Sequence, residues 1–262
     1  LTARVMVNRI WHYIMGQGLV RTPGDFGANG VAPTHPLLLD WLADEFMRND
    51  WSIKHIQRLI LNSRTFRQSS KPTPMGMDKD AGGAWLWRYT PRRLSAEPMR
   101  DSILFTSGAL DLKMQGPGFY LLDVQVENVM HYFPKEHFGP NEFRRMVYQT
   151  RIRQEQDAIF GAFDCPDGNQ VISNRSRSNT PIQALNLFNS NFILQQSEIL
   201  ASRLQRNFPD SLKQQIEQAF LALHGKRPDE HEIKISRALI QSDGHASFCR
   251  ALYNSSRFIF IF

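Results

Sequence analysis

The chain has 262 residues, of which 42% are apolar and 21% charged, a balance typical of a globular protein that can bury a core. No run of 18 apolar residues is present, which argues against a membrane-spanning helix. Arginine outnumbers lysine 23 to 8 within a net charge of +6, and this permits anionic partners without requiring them.

The two cysteines, Cys165 and Cys249, restrict the redox and metal chemistry of the chain. They could form one disulfide at most, or they could be two buried thiols, because free cysteine favours the interior. The sequence has no CxxCH haem motif, no CxxC pair and no zinc-ligand spacing. We therefore expect no metal site and no cofactor within this chain.

Apolar residues at helical spacing predict three helices in the first part of the chain. One spans residues 2–15 and is stopped by Gly16, the second begins at Thr34 or His35, and Ser52 caps the third. We expect the second and third helices to form a helical hairpin.

The middle of the chain mixes loops, one helix and extended segments. The stretch 69–83, rich in proline and glycine, predicts a loop, and a helix is expected from Ser95 to about residue 109. Short strands are expected near residues 119–126 and 144–150, the second because its apolar residues alternate. Residues 111–143 are interpreted as an elaboration on the helical body.

The clearest helix start in the sequence is Thr180-Pro181-Ile182-Gln183. The threonine hydroxyl can accept from a backbone N–H one turn in, proline suits the first helical position, and glutamine can reach back to the cap. This predicts a helix from Pro181 to about residue 205. Further helices are predicted at 211–224, from 229 onward and at 246–254.

These elements predict a mainly α fold, a compact helical domain of about eight helices with a few short β-strands. We expect residues 1–262 to form a single domain. The chain begins without an initiator methionine or a signal-type segment, so we also expect it to be a fragment of a longer protein.

Charged residues before the helix at residue 181 form a candidate ligand site. Four arginines could converge if the strand expected at 144–150 and the loop before residue 180 lie side by side. Two aspartates in the acidic turn could be turn and cap residues, accept from arginines, or bind a hard cation such as calcium. The candidate ligand-binding residues are Arg144, Arg145, Asp164, Asp167, Arg175 and Arg177.

Several long motifs occur in order along nearly the whole chain. They are LTARVMVNRIW, GLVRTPGDFG, PTHPLLLDWLADEF, SIKHIQRLILNSRTFRQSS, RRLSAEPMRDSIL, RRMVYQTR, FDCPD and NTPIQALNLFNSNF. In these motifs the chain resembles the planctomycete-specific domain of the DUF1553 family, also called PSD1. The family pattern often has two adjacent arginines before the capped helix, whereas here Ser176 separates Arg175 from Arg177.

This resemblance implies a context rather than a reaction. Such domains usually lie at the C-terminal end of large exported proteins, after a DUF1549-like domain and often a planctomycete cytochrome-c-like domain. The resemblance therefore implies export to the periplasm or cell envelope, with the upstream domains of the same polypeptide as partners. Any haem c would belong to a domain upstream of this chain.

Two functional hypotheses from different classes follow. The first is a non-catalytic scaffold or anionic-ligand-binding domain, whose arginines would bind an acidic polysaccharide or the partner domain. The alternative is an enzyme domain, a polysaccharide hydrolase or an oxidoreductase component, in which paired carboxylates or a histidine would act as acid and base. The candidates for that chemistry are His12, Asp25, Glu127, His131, Asp164 and Asp167.

The positive charge alone would also suit nucleic acid. No helix-turn-helix, zinc-finger or RRM signature accompanies it, and an exported context would argue against such a partner. We therefore expect neither a nucleic-acid partner nor a membrane span.

Overall fold

The computed structural model describes residues 1–152, 155, 157, 159–166, 168 and 171–262. The candidate residue Asp167 lies outside these described residues. Within them the structure has ten α-helices, and it is 52% helical and 7% strand, which confirms the mainly α class. None of the described helices is both long and apolar enough to cross a membrane.

The chain divides into two compact units. The first unit contains residues 1–92 and 172–174 together with Phe262, and the second contains residues 93–171 and 175–261. The expectation of a single domain over residues 1–262 stays a prediction.

The first unit is built on three helices that pack on one another, followed by a shorter fourth. These helices are α1 (Thr2–Met15), α2 (Pro36–Arg48), α3 (Ile53–Asn62) and α4 (Pro74–Asp80). Val7, Leu42 and Ile56 are buried among them, one from each of the first three helices. Burying such a side chain contributes about 1.5–3 kcal/mol, so the predicted apolar faces are what hold these helices together.

Helix α4 lies within the stretch predicted to be a loop, so that prediction is wrong. The Thr73 hydroxyl accepts from the Gly76 N–H at 3.2 Å, and Pro74 occupies the first turn. A Cβ on Gly76 would lie 2.6 Å from the Trp87 ring, so the helix packs closely on that ring. A cap and one aromatic contact outweigh the low helix propensity of glycine and proline here.

The second unit contains the remaining helices and a β-hairpin. Its helices are α5 (Ala96–Ser107), α6 (Pro181–Asn189), α7 (Asn191–Asn207), α8 (Leu212–His224), α9 (Glu230–Tyr253) and α10 (Ser256–Ile259). Helix α7 packs against α5, α8 and α9. Met99, Phe192 and Phe248 are buried in this core, and they come from α5, α7 and α9.

The single helix predicted from residue 181 to 205 is two helices in the structure. Ser190 has an extended backbone, with ψ at 140°. Its N–H donates to the Asn186 carbonyl at 3.2 Å, and its own carbonyl accepts from the Leu194 N–H at 3.0 Å. The same residue therefore ends α6 and begins α7. Conversely, α9 joins the last two predicted helices across a kink at Gly244.

The strands are short. They are β1 (Arg92–Arg93), β2 (Leu122–Val126), β3 (Met130–Pro134) and β4 (Phe260–Ile261). β2 and β3 form an antiparallel hairpin, with Val124 opposite Tyr132. The strand expected near residues 119–126 is therefore present as the first strand of this hairpin.

The prediction of a strand at residues 144–150 is wrong. Residues Met146–Tyr148 form a 3-10 turn instead. Isolated bridges flank that turn and connect Arg144 to Asp111 and Gln149 to Phe119. The residues between these bridges therefore lie in a turn between two isolated pairs rather than in a continuous ladder.

Candidate functional site

A groove of about 700 Å³ lies beside α5, and all of its lining residues belong to the second unit. Helix α5 contributes Glu97, Asp101 and Phe105 to it. These residues follow at intervals of four, so they lie on one face of the helix. We call this feature the α5 groove; it also includes Leu110, Arg145, Val147, Arg151 and Arg175.

The buried face of α5 determines how the helix is oriented about its own axis. Met99 and Ile103 are fully buried in the core, which directs the opposite face outward into the groove. Ser95, with an extended backbone, precedes the helix, and Gly108 ends it in the left-handed region with φ at 85°. A local signal, Gly108, therefore determines where this wall of the groove ends.

Two ion pairs cross the groove. Arg175 Nη1 donates to Glu97 Oε1 at 2.7 Å, and Arg145 Nε lies 3.2 Å from Asp101 Oδ2. The side chains of Arg145 and Arg175 stay 56% and 43% exposed. Exposed pairs contribute roughly 0–1 kcal/mol. A guanidinium has five N–H donors, so one contact with a carboxylate leaves donors for another anion.

The Asp101 carboxylate also organises the opposite wall. Its Oδ1 accepts from the Met146 N–H at 2.7 Å. That bond holds the 3-10 turn against α5 and so keeps Arg145 and Val147 at the edge of the groove.

Arg151 reaches the groove from the residues that follow the 3-10 turn. Its Nη2 donates to Cys165 Sγ at 2.7 Å. Burial raises the pKa of the Cys165 thiol to about 11, although the charge of Arg151 opposes this. The thiol is therefore neutral near neutral pH and is not a thiolate nucleophile.

The structure shows whether the two cysteines form a disulfide or remain thiols. Cys165 and Cys249 are both free thiols, and Cys249 is buried. Burial raises the pKa of Cys249 to about 12. The two residues therefore do not form a disulfide.

Arg145 and Arg175 are the predicted ligand residues that the structure brings into one groove. Arg177 is exposed. Arg144 is buried instead, and its guanidinium donates to the carbonyls of Gln115 and Pro117, each at 2.6 Å. Its side chain thus stabilises a loop of the second unit.

Asp164 forms an ion pair with the buried Arg93. Its Oδ2 accepts from Arg93 Nη2 at 2.5 Å and from the Ser178 N–H at 2.8 Å. Burial lowers the pKa of Arg93, and the charge of Asp164 opposes this shift. Gln183 adds to the same junction by donating to the carbonyls of Ala162 and Ser178. Asp164 and Gln183 therefore anchor the loop that precedes α6.

Sequence reasoning missed the acidic half of the groove. Glu97 and Asp101 lie four residues apart in a helix that was predicted, so their spacing could have placed them on one face. Arg151 lies in the motif RRMVYQTR with Arg145, but the two are six positions apart on irregular backbone, so the motif alone did not place both in one groove.

The candidate acid–base residues lie in separate local settings. In the first unit, His12 belongs to α1, and Asp25 Oδ1 accepts from the Gly27 N–H at 2.7 Å, as in a turn. In the second unit, Glu127 and His131 are exposed residues of the β2–β3 hairpin. Among the described residues, no group of three or more side chains is placed to bind a metal ion.

Comparison with known protein families gives a match, whereas comparison with individual proteins does not. No curated protein and no solved structure matches the chain. The family model described as PSD1, protein of unknown function (DUF1553), matches residues 1–240. This match covers most of the chain and confirms the resemblance carried by the sequence motifs, so the chain belongs to the PSD1 (DUF1553) family.

Proposed function

We propose that the second unit is a non-catalytic binding domain that binds an acidic polysaccharide in the α5 groove. One observation carries the proposal: Arg145 and Arg151, which flank the 3-10 turn, line the same groove as Arg175 from the loop before α6. The planar guanidinium matches the geometry of carboxylate and sulfate groups, and it can donate two parallel hydrogen bonds to either.

The charge of the groove supports an anionic ligand. Three arginines against the two carboxylates of Glu97 and Asp101 leave one positive charge in excess. The carboxylates orient Arg145 and Arg175 through the ion pairs described above, which lowers the cost of ordering these long side chains when a ligand binds.

The same ion pairs favour binding over acid–base chemistry. Each groove carboxylate has an oxygen in contact with a guanidinium. A glycosidase needs one carboxyl group that delivers a proton and a second that acts as base or nucleophile. We therefore prefer the binding domain to the alternative of a polysaccharide hydrolase or an oxidoreductase component.

The proposal includes a setting in a larger protein. The domain would belong to an exported polypeptide whose upstream domains are DUF1549-like and cytochrome-c-like, with any haem c bound there. The family resemblance supports this setting. The groove would then tether the polypeptide to acidic polysaccharide in the cell envelope.

The test compares polygalacturonate with neutral dextran by affinity electrophoresis of the full chain. We expect retardation by polygalacturonate that weakens at high salt, because exposed charges are screened. The Arg145→Gln/Arg175→Gln double variant should bind at least about tenfold more weakly, since a hydrogen bond to a charged group contributes about 1.5–3 kcal/mol.

Arg237→Gln is the matched control, because Arg237 is an exposed arginine of α9 outside the groove. It should bind like the unmodified chain. Equal binding of dextran and polygalacturonate, or a double variant that binds as tightly as Arg237→Gln, would contradict the proposed function.

A further inference from the structure

We infer that the α5 groove recognises the sugar ring as well as its charge, and that its ligand is a polyuronate with one carboxylate per ring, stacked on Phe105. This inference rests on the proposed function and specifies its ligand. It follows from the apolar half of the groove, the spacing along α5 and the small excess of charge.

The apolar half of the groove is open to solvent. Phe105 is 68% exposed and Val147 is 70% exposed, and both line the groove together with the half-buried Leu110. Apolar side chains next to convergent charged groups are typical of a ligand site. An inorganic anion would use the arginines and leave these three side chains without a contact.

A sugar ring matches both halves of the groove. The C–H groups on one side of a pyranose form an apolar face, while its hydroxyl and carboxylate groups project from the rim. The face of an aromatic ring carries partial negative charge and attracts polarised C–H groups. Phe105 would contact that apolar face while an arginine binds the carboxylate of the same or the next ring.

The spacing along α5 favours a polymer over a single sugar. At a rise of 1.5 Å per residue, Asp101 lies about 6 Å along the helix from Phe105, and Glu97 lies about 12 Å from it. Each of these carboxylates contacts an arginine, so one guanidinium is offered per helical turn. Steps of this length are comparable to the length of a sugar unit in a chain.

The charge balance favours one acid group per ring. With one positive charge in excess, the groove can compensate a ligand of low charge density. A polysulfated chain or a polyphosphate would place additional negative charges close to Glu97 and Asp101, and like charges at such distances repel. A polyuronate avoids this repulsion.

The experiment measures binding of three polyanions, polygalacturonate, dextran sulfate and polyphosphate, to the full chain and to Phe105→Ala. We expect Phe105→Ala to weaken polygalacturonate binding about tenfold, because it removes the aromatic face on which the C–H groups of the sugar ring would pack. Binding of dextran sulfate and polyphosphate should change less than about twofold, since it depends on charge. Phe105 is exposed, so the variant should fold normally.

Phe133→Ala is the matched control, because Phe133 is an exposed phenylalanine of β3 outside the groove. It should leave all three affinities unchanged. A Phe105→Ala variant that loses no polygalacturonate affinity, or loses affinity for all three polymers equally, would overturn the stacking inference. Tighter binding of dextran sulfate than of polygalacturonate to the unmodified chain would overturn the choice of a polyuronate.

The proposed function can be distinguished from this inference. If Arg145→Gln/Arg175→Gln weakens binding while Phe105→Ala does not, anion binding stands and the ring contact is wrong. If no polymer binds, both are wrong. Poly-glutamate is measured in parallel, and tighter binding of poly-glutamate than of polygalacturonate would assign the groove to an acidic peptide segment and overturn the inference.

Discussion

At the scale of single residues, arginine has two separate uses in the second unit. Arg93, Arg100 and Arg144 are buried and donate to main-chain carbonyls of neighbouring loops. Burial lowers the pKa of Arg100 to about 10, which shows how strongly its charge is desolvated. Arg145 and Arg175 remain exposed in the α5 groove. The arginine-rich composition therefore reflects loop anchoring as much as ligand binding.

In the first unit, Asn8 connects α1 to the segment that follows it. Its Nδ2 donates to the Val20 carbonyl at 3.0 Å, and its Oδ1 accepts from the Val20 N–H at 2.8 Å. Asn8 is fully buried, and a Cβ on Gly18 would lie only 2.8 Å from its amide. The glycine is required because the chain passes this close to the asparagine.

We predict that Asn8→Ala lowers the free energy of unfolding by about 2–4 kcal/mol, because it leaves the buried N–H and carbonyl of Val20 without partners. Urea unfolding followed by tryptophan fluorescence would measure the change. Asn62→Ala, at an exposed residue of α3, serves as the control and should cost less than about 0.5 kcal/mol. Equal losses in the two variants would show that the Asn8 contact contributes little.

At the scale of elements, the last long helix depends on one glycine. Gly244 has φ at 84° and ψ at 169°, whereas Gly225, which ends α8, has φ at 66° and ψ at 11°. A Cβ would have no atom within 4 Å at either position. Any difference between substitutions at the two sites therefore comes from the backbone, because only glycine readily adopts the Gly244 conformation.

We predict that Gly244→Asn lowers the free energy of unfolding by about 1–3 kcal/mol, since it forces an L-residue into that strained region. Gly225→Asn should cost less than about 1 kcal/mol, because asparagine tolerates the left-handed helical region. Thermal or urea denaturation of both variants provides the measurement. A larger loss in Gly225→Asn would refute this account of the kink.

At the scale of the whole molecule, a buried thiol and a buried phenol make the free energy of unfolding decrease at alkaline pH. Burial raises the pKa of Cys249 to about 12 and also raises the pKa of Tyr253. An unfolded thiol releases its proton near pH 9, so between pH 9 and 12 the folded state binds more protons than the unfolded state. This contribution to stability is complete below pH 9 and is lost as the pH rises.

We predict that the Cys249 contribution decreases by about 1 kcal/mol between about pH 8 and 10. In Cys249→Ala the fall of unfolding free energy over that range should be shallower, whatever the stability of the variant at neutral pH. Tyr13→Phe, at an exposed tyrosine, should leave the slope unchanged. Urea midpoints at a series of pH values would decide, and parallel slopes for the unmodified chain and Cys249→Ala would contradict the prediction.

The sequence predicted those elements whose signals are local. Helix α1 ends at Gly16 and α3 begins after Ser52 as expected, because a stop glycine and a serine cap act within one turn of the chain. Helix α4 was missed because its stability comes partly from Trp87, which lies outside it. The strand expected at 144–150 failed because strand pairing depends on a partner that the segment itself does not contain.

From the sequence alone, the motifs identified the family, and the helical spacing and caps predicted the mainly α class. The sequence also named Arg145 and Arg175 as candidate ligand residues. Only the tertiary structure decided that these two arginines share a groove with Arg151, whereas Arg144 is buried under a loop. The physical reason is that helix spacing and caps are properties of a few adjacent residues. The partner of a guanidinium, by contrast, depends on which distant segments pack together. Arg175 contacts Glu97, for example, although the two residues are 78 positions apart in the chain.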